Sequence, residues 1–213
     1  MSKRFPLCVI PAAGEGTRMG GACKALQVID GKSVILRVVE FWSDYAEEIV
    51  IVINPKHRDQ WKAQDQPPMP LVRYVEQLSP RGICDAVVVA LRAHRCPDSF
   101  IVALGDCLFD GEFDFPDRPF TGFGVMEPED SDLARSYAVG KREVIEKPLL
   151  GLGAYFLTWN DIVALEDEAH MATQGVRCFG LTEAIRSFGT GAKRVPFKGR
   201  YLNVTYPEDL LRW

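Results

Sequence analysis

The sequence predicts an α/β fold: a doubly wound, mostly parallel sheet with a small mixed β extension. Three observations predict it. Short, fully apolar runs recur at Leu7–Ile10, Ile49–Ile53 and Phe100–Leu104, as expected for strands buried on both faces. The segments between them carry apolar residues at helical spacing. Strand and helix then alternate through the first half of the chain, and the pattern changes only after residue 119.

Taken in order, Leu7–Ile10 is the first strand, and it empties into a run of small residues and glycines, Ala12, Ala13, Gly14 and Gly16. Such a loop bares its amides, and glycine permits the φ > 0 geometry with which a backbone wraps phosphate oxygens. Arg18 and Lys24 follow as local cations. Gln27–Ile29 is a short extended piece. Ser33 reads as the N-cap of a helix with Val34, Ile35, Val38, Val39 and Trp42 on one face. Ile49–Ile53 is the second strand, ended by Asn54-Pro55, and a polar helix near His57–Gln64 returns the chain to a third strand at Leu71–Val75. A loop at Gln77–Gly82 leads into a helix from Ile83 to His94. The fourth strand, Phe100–Leu104, stops at Gly105-Asp106. In such sheets ligands bind at the carboxyl ends of the strands, where residues 12–24, 77–82 and 106 would meet.

The second half differs. Asp110–Pro119 is acidic and reads as irregular, while Phe120–Met126, Tyr137–Val139, Glu143–Glu146 and Gly153–Thr158 are short β runs. Helices are expected at Asn160–Glu168, at Leu181–Phe188 and from Pro207 onward, with a strand at Lys193–Phe197. No repeat or linker interrupts the chain, so residues 1–213 are expected to form a single domain, with 1–119 holding the nucleotide and 120–213 the acceptor.

Two glycine motifs lead elsewhere and fail. Gly14-Glu15-Gly16 with Gly20 hints at a dinucleotide fingerprint, but that motif needs a helix opening straight from the loop, and Gly20-Gly21 break one. Gly31-Lys32-Ser33 resembles the end of a P-loop, yet Leu26 stands where its first glycine is required.

Composition narrows the classes. At 213 residues and a net charge of −4, the chain lacks the basic balance of a nucleic-acid binder. No stretch reaches membrane-spanning length and no secretory leader is evident, so neither nucleic acid nor membrane is expected as a partner. The 6 cysteines form no C-x-x-C pair and several sit in apolar runs, as in a reduced, cytoplasmic protein. His57, His94 and His170 lie among polar neighbours and are expected at the surface.

The motifs AAGEGTRMG…K, QLSPRGICDAV, GDC, EKP and YLNVTYPEDL together resemble the nucleotidyltransferase superfamily, which holds the sugar-1-phosphate nucleotidylyltransferases and related cytidylyl- and guanylyltransferases. They span nearly the whole chain in order. The resemblance implies a Rossmann-like nucleotidyltransferase fold. It also implies an Mg²⁺-dependent reaction, in which an acceptor phosphate oxygen attacks the α-phosphorus of a nucleoside triphosphate and pyrophosphate leaves. Such chemistry rests on alignment and charge neutralisation.

By the same resemblance Ala12, Ala13, Gly14, Glu15, Gly16, Thr17, Arg18 and Lys24 hold the triphosphate. Arg18 takes the leaving phosphates and Lys24 the α-phosphate. Gln77 and Gly82 match the loop that reads the base, most like that of the thymidylyl and uridylyl enzymes, and Asp85 is expected to cap or tie the following helix. Asp106 is the expected Mg²⁺ ligand and, with Arg18 and Lys24, completes the catalytic set. Glu146 and Lys147 match acceptor contacts to hydroxyls and phosphate, and Ala138 stands where a glycine is common, narrowing the acceptor pocket.

The chain also departs from the pattern. Asn203 stands where sugar-nucleotide enzymes commonly place a second aspartate for the metal, Cys23 replaces a usual proline, and Thr205 is left as the cap of the last helix because Tyr206 replaces a threonine. The leading reading is thus a nucleotidyltransferase acting on a sugar 1-phosphate or another small phosphorylated acceptor. A cytidylyl- or guanylyltransferase with a non-sugar acceptor, and a nucleotide-sensing homologue with weak turnover, stay open beside it. A dehydrogenase is a distant third. A homo-oligomer also stays open.

Overall fold

The computed structural model describes residues 4–62, 72–79, 81–94, 97–117, 119–127, 149–174, 181 and 191–213. The first apolar run forms β1 (Phe5–Ala12), which is paired in parallel with β4 (Ala46–Ile53) on one side and β6 (Ser99–Ala103) on the other. Beyond β4 lies β5 (Val72–Glu76), also parallel. A two-stranded antiparallel pair, β2 (Val28–Ile29) and β3 (Lys32–Ser33), precedes the first helix.

Alternation along β1 sends Cys8 and Ile10 into one core and Leu7 and Val9 into the other, as the period of a strand requires. Helix α1 (Val34–Ser43) covers the first face with Val34, Val38 and Trp42. Ser33 caps it as expected, its Oγ accepting from Leu36 N at 3.4 Å. Helices α3 (Ile83–Ala93) and α4 (Ile162–Thr173) cover the second face with Val87, Leu91 and Leu165. The doubly wound reading is therefore correct. A short α2 (Arg58–Lys62) follows β4. His57, expected at the surface, is buried instead: its turn and α2 place it and Trp61 on the same inward side, four residues apart. His94 bonds Glu48 at 2.7 Å, and His170 is exposed.

The remaining strands complete one eight-stranded sheet in the order β5-β4-β1-β6-β9-β8-β10-β7. Strand β9 (Leu150–Thr158) is antiparallel to both β6 and β8 (Gly122–Met126), whereas β10 (Lys193–Asn203) runs parallel to β8 and antiparallel to β7 (Cys107–Phe113). Strand β7 corrects the expectation of irregular chain at Asp110–Pro119. Its period-two apolar residues Phe109 and Phe113 pack on Trp42, with ring centroids 5.5 Å apart in each case. Asp110 and Glu112 remain at the exposed edge. The acidic residues hid the period, because a strand at a sheet edge tolerates charge where it meets solvent. Gly111 faces Gly199 across this pair, both at positive φ, and a Cβ on either would fall 2.1 Å from the opposite backbone.

Strand β10 also runs past its expected end at Phe197 to include Asn203. The final helix is only a five-residue 3-10 turn, Pro207–Leu211. Thr205 does not cap it. The Asp209 carboxylate accepts from Thr205 N and Tyr206 N, 2.8 Å each, while the Thr205 hydroxyl donates to Asn203 Oδ1 at 3.3 Å. The β runs expected at Tyr137–Val139 and Glu143–Glu146, with most of the helix expected at Leu181–Phe188, lie outside the described residues. Among the described residues no helix is long and apolar enough to cross a membrane.

Candidate active site

At the carboxyl ends of β1 and β6 the chain leaves a cavity of about 380 Å³, within the range of small-ligand sites. Its floor is the glycine loop. Gly16 sits at φ +65°, and a Cβ there would lie 1.9 Å from Ala22 O, so no other residue fits without moving the loop. The Gly16 carbonyl accepts from Met19 N and Gly21 N, closing a tight turn. Two 3-10 turns follow in place of a helix, Thr17–Met19 and Lys24–Leu26, which agrees with the rejection of a dinucleotide fingerprint. Arg18 is exposed on the first turn and lines the cavity; Lys24 opens the second. Burial pushes the Cys23 thiol up, leaving an uncharged wall beside Lys24.

Asn54 braces this loop from β4. Its Nδ2 donates to Ala13 O at 3.2 Å and its Oδ1 accepts from Lys56 N at 2.9 Å. From the sequence it read only as the end of a strand; the signal was an amide next to the proline at the strand's carboxyl end.

The far wall carries Gln77, which is 3% exposed. Its backbone N–H bonds Ile53 O, continuing the β4–β5 ladder. Its side-chain Nε2 donates to Asp85 Oδ2 at 2.5 Å and to Gly82 O at 3.3 Å. Asp85 thus ties α3 as expected, and it does so through the residue expected to read a base. Gly82, at φ +104°, opens α3 without a side-chain cap.

Asp106 stands at the mouth of β6. Gly105 packs against the end of β1, its added Cβ meeting Ala12 Cβ and Pro11 O at 3.2 Å, and its N–H bonds Pro11 O. That close approach holds Asp106 over the glycine loop, where its Oδ2 lies 3.3 Å from Lys24 Nζ. Behind it, Cys107 Sγ sits 3.3 Å from the Tyr201 hydroxyl. Burial raises both groups well above their ordinary values, so both stay neutral. Gly153 is required beside them, since a Cβ there would lie 2.4 Å from Cys107 Sγ.

Asn203 pairs with Cys107 in the β7–β10 register, and the next residue, Val204, donates its N–H to Asp106 O at 2.8 Å. A carboxylate in the turn before β7 and an amide oxygen at the end of β10 suit a hard divalent cation that takes few protein ligands and fills its shell from water and phosphate. Among the described residues no group of three or more His, Cys, Asp or Glu could hold a metal.

Of the residues expected to hold nucleotide, Ala12, Ala13, Gly14, Gly16, Thr17, Arg18, Lys24, Gln77 and Gly82 line the one cavity together with Asp106; Glu15 is exposed and off its lining. Asn203 is also off the lining, and Ala138, Glu146 and Lys147 lie outside the described residues.

Residues 8–113, which carry the whole lining, match the MobA-like NTP transferase domain. The chain belongs to the nucleotidyltransferases. This nucleotidyltransferase is 25% identical over 245 residues to the UTP–glucose-1-phosphate uridylyltransferase of Streptococcus pneumoniae, a match covering 87% of this chain and 80% of that one. Its fold matches the inositol-1-phosphate CTP transferase from T. maritima with a TM-score of 0.73 at 16% identity, over 98% and 93% of the two chains. It also matches the UTP-bound UGPase from Acinetobacter baumannii with a TM-score of 0.72 at 17% identity, over 98% and 91%. Those structural likenesses establish the Rossmann-like nucleotidyltransferase fold.

Proposed function

We propose that this nucleotidyltransferase joins a nucleoside triphosphate to a sugar 1-phosphate, releasing pyrophosphate in an Mg²⁺-dependent reaction. One observation carries the reading: a single cavity gathers the glycine loop, the cations Arg18 and Lys24, the buried amide of Gln77 and the carboxylate of Asp106. The similarity to a uridylyltransferase acting on glucose 1-phosphate supports the acceptor class.

In this reading the loop amides and Arg18 hold the β- and γ-phosphates, and Lys24 moves from Asp106 to the α-phosphate. An acceptor phosphate oxygen attacks the α-phosphorus in line, and the leaving pyrophosphate carries its charge away against Arg18. Lys24 acts where negative charge builds on the pentacoordinate phosphorus, the kind of contact that lowers a barrier by electrostatics. Asp106 and Asn203 would hold Mg²⁺, which when bound neutralises phosphate charge. Gln77 and Gly82 position the base. Glu146 and Lys147 contact the acceptor's hydroxyls and phosphate, with Ala138 narrowing its pocket.

A second reading is favoured by one residue. Asn203 in place of a carboxylate matches cytidylyl- and guanylyltransferases with non-sugar acceptors, and one structural neighbour is a CTP transferase acting on inositol 1-phosphate. A grid of the common triphosphates against sugar 1-phosphates and alcohol phosphates, read by pyrophosphate release with Mg²⁺ and again with EDTA, tests both. Release confined to sugar 1-phosphates is expected. Turnover with alcohol phosphates alone supports the second reading, and silence across the grid with nucleotide binding intact points to a sensor. In the same assay Lys147→Ala should raise the acceptor KM and change kcat little; an unchanged KM moves the acceptor site elsewhere.

A further inference from the structure

The Gln77 side chain is the group proposed to read a base. Its own bonds restrict what it can read. A primary amide offers two N–H donors and one carbonyl acceptor. Here the nitrogen faces Asp85 Oδ2 at 2.5 Å and Gly82 O at 3.3 Å. Both neighbours are pure acceptors, so the amide has one allowed orientation: reversing it would press a carbonyl oxygen against a carboxylate and a second carbonyl. Both N–H hydrogens are therefore spent inside the protein, and Oε1 is what the amide has left to offer. The backbone cannot swing to relieve this, because Gln77 N is bonded to Ile53 O at 3.0 Å and the residue is buried.

We infer that Asp85 is a positioning residue that makes Gln77 an obligate acceptor and so sets the base preference toward uracil and thymine over cytosine. The inference rests on the proposed reading of the cavity as a triphosphate site and deepens it. An acceptor at this wall is matched by a ring N–H. Uracil and thymine present one at N3, flanked by two carbonyls. The first-turn N–H groups of α3, whose N-cap Gly82 offers no side-chain cap, suit such a flanking carbonyl. Cytosine presents a bare lone pair at N3, which Oε1 repels. With Asp85 removed, the amide can turn its NH2 toward N3, and cytosine becomes acceptable. A site that hydrogen-bonds one partner discriminates against another mainly through the buried group left unpaired.

The test is equilibrium binding of UTP, dTTP and CTP, with Mg²⁺, to the wild-type chain, Asp85→Ala and Asp85→Asn, each first shown by thermal melting to be folded. The wild type should bind UTP and dTTP about tenfold or more tighter than CTP, the scale of one buried hydrogen bond. Asp85→Ala should shrink that ratio by about tenfold, with CTP binding improved or unchanged while UTP binding weakens. Asp85→Asn, which keeps an oxygen able to accept from Gln77 Nε2, should fall between the two. Equal weakening of all three nucleotides in Asp85→Ala means that Asp85 only supports the helix, and overturns the inference while leaving the triphosphate site intact. A wild-type preference for CTP overturns it as well. A folded wild type that binds no triphosphate overturns the reading of the cavity itself, and the selectivity falls with it.

Discussion

Two carboxylates serve the cavity, Asp106 from its lining and Asp85 through its bond to Gln77, and they hold their partners in different ways. Asp106 is paired with Lys24 across 3.3 Å, with side chains 26% and 21% exposed. A pair so open to water is worth about 1 kcal/mol or less and is easily exchanged. Asp85 holds the amide of Gln77 at 2.5 Å in a residue 3% exposed. A hydrogen bond to a charged group is worth about 1.5–3 kcal/mol. One end of the proposed triphosphate site is thus held by a pair that can trade partners, and the other by a fixed bond. The contrast suits a reaction whose phosphates must be re-contacted as charge moves, while the base only has to stay still.

The largest expected effect breaks the exchangeable end. Lys24→Ala and Asp106→Asn should each lower kcat for pyrophosphate release by about 10²-fold or more, as lost transition-state electrostatics, with melting temperature little changed. Loss of less than threefold in either variant would remove that residue from the chemistry. At the fixed end, Gln77→Ala should raise the triphosphate KM by about tenfold, one buried hydrogen bond, with a smaller change in kcat; a loss confined to kcat would contradict a base-holding role.

A subtler measurement sharpens the contrast. If Asp106 holds the cation as proposed, Lys24 competes for it, and Lys24→Met should raise Mn²⁺ affinity in the absence of nucleotide by about fivefold, the value of an open ion pair, read by electron spin resonance. Unchanged affinity would mean that Asp106 does not bind the ion. Replacing Lys24 is therefore expected to slow turnover and strengthen metal binding, a pairing that a structural role for Lys24 does not produce.

The smallest effect concerns the neutral pair behind Asp106. Cys107 and Tyr201 are acids whose folded values lie well above their ordinary 9.0 and 10.0, so the unfolded chain releases these protons first as pH rises. Their contribution to stability is full below about pH 9 and declines above it. Melting temperature should be flat from pH 7 to about 8.5 and fall toward pH 10.5, and Tyr201→Phe should soften that alkaline fall. An identical alkaline slope in the variant would assign the decline to other groups.

The two halves of the sheet were not equally legible. Strands β1, β4 and β6 are buried on both faces, so each announces itself as an apolar run whatever its neighbours are. Strand β7 is hard to read because it is an edge strand, where Asp110 and Glu112 are allowed, and its anchors Phe109 and Phe113 matter only once Trp42 is beside them. The C-terminal turn reads as a helix for a related reason: a proline followed by acidic residues signals a helix start, but only packing decides whether a second turn follows.

The site shows the same division. The glycine loop, the two cations, Gln77 and Asp106 could be named from residue type and order, because chemistry on phosphates demands small residues, positive charge and an oxygen ligand close together. Asn54, Tyr201 and the bond from Gln77 to Asp85 could not. Each depends on which atoms the sheet brings within 3.5 Å, and a hydrogen bond's strength turns on such distances and angles. The amino-acid order determined what kinds of groups meet at the mouth of the sheet. Only the tertiary structure decided which of them were already spoken for, since a donor's availability is set by the neighbours that folding places around it.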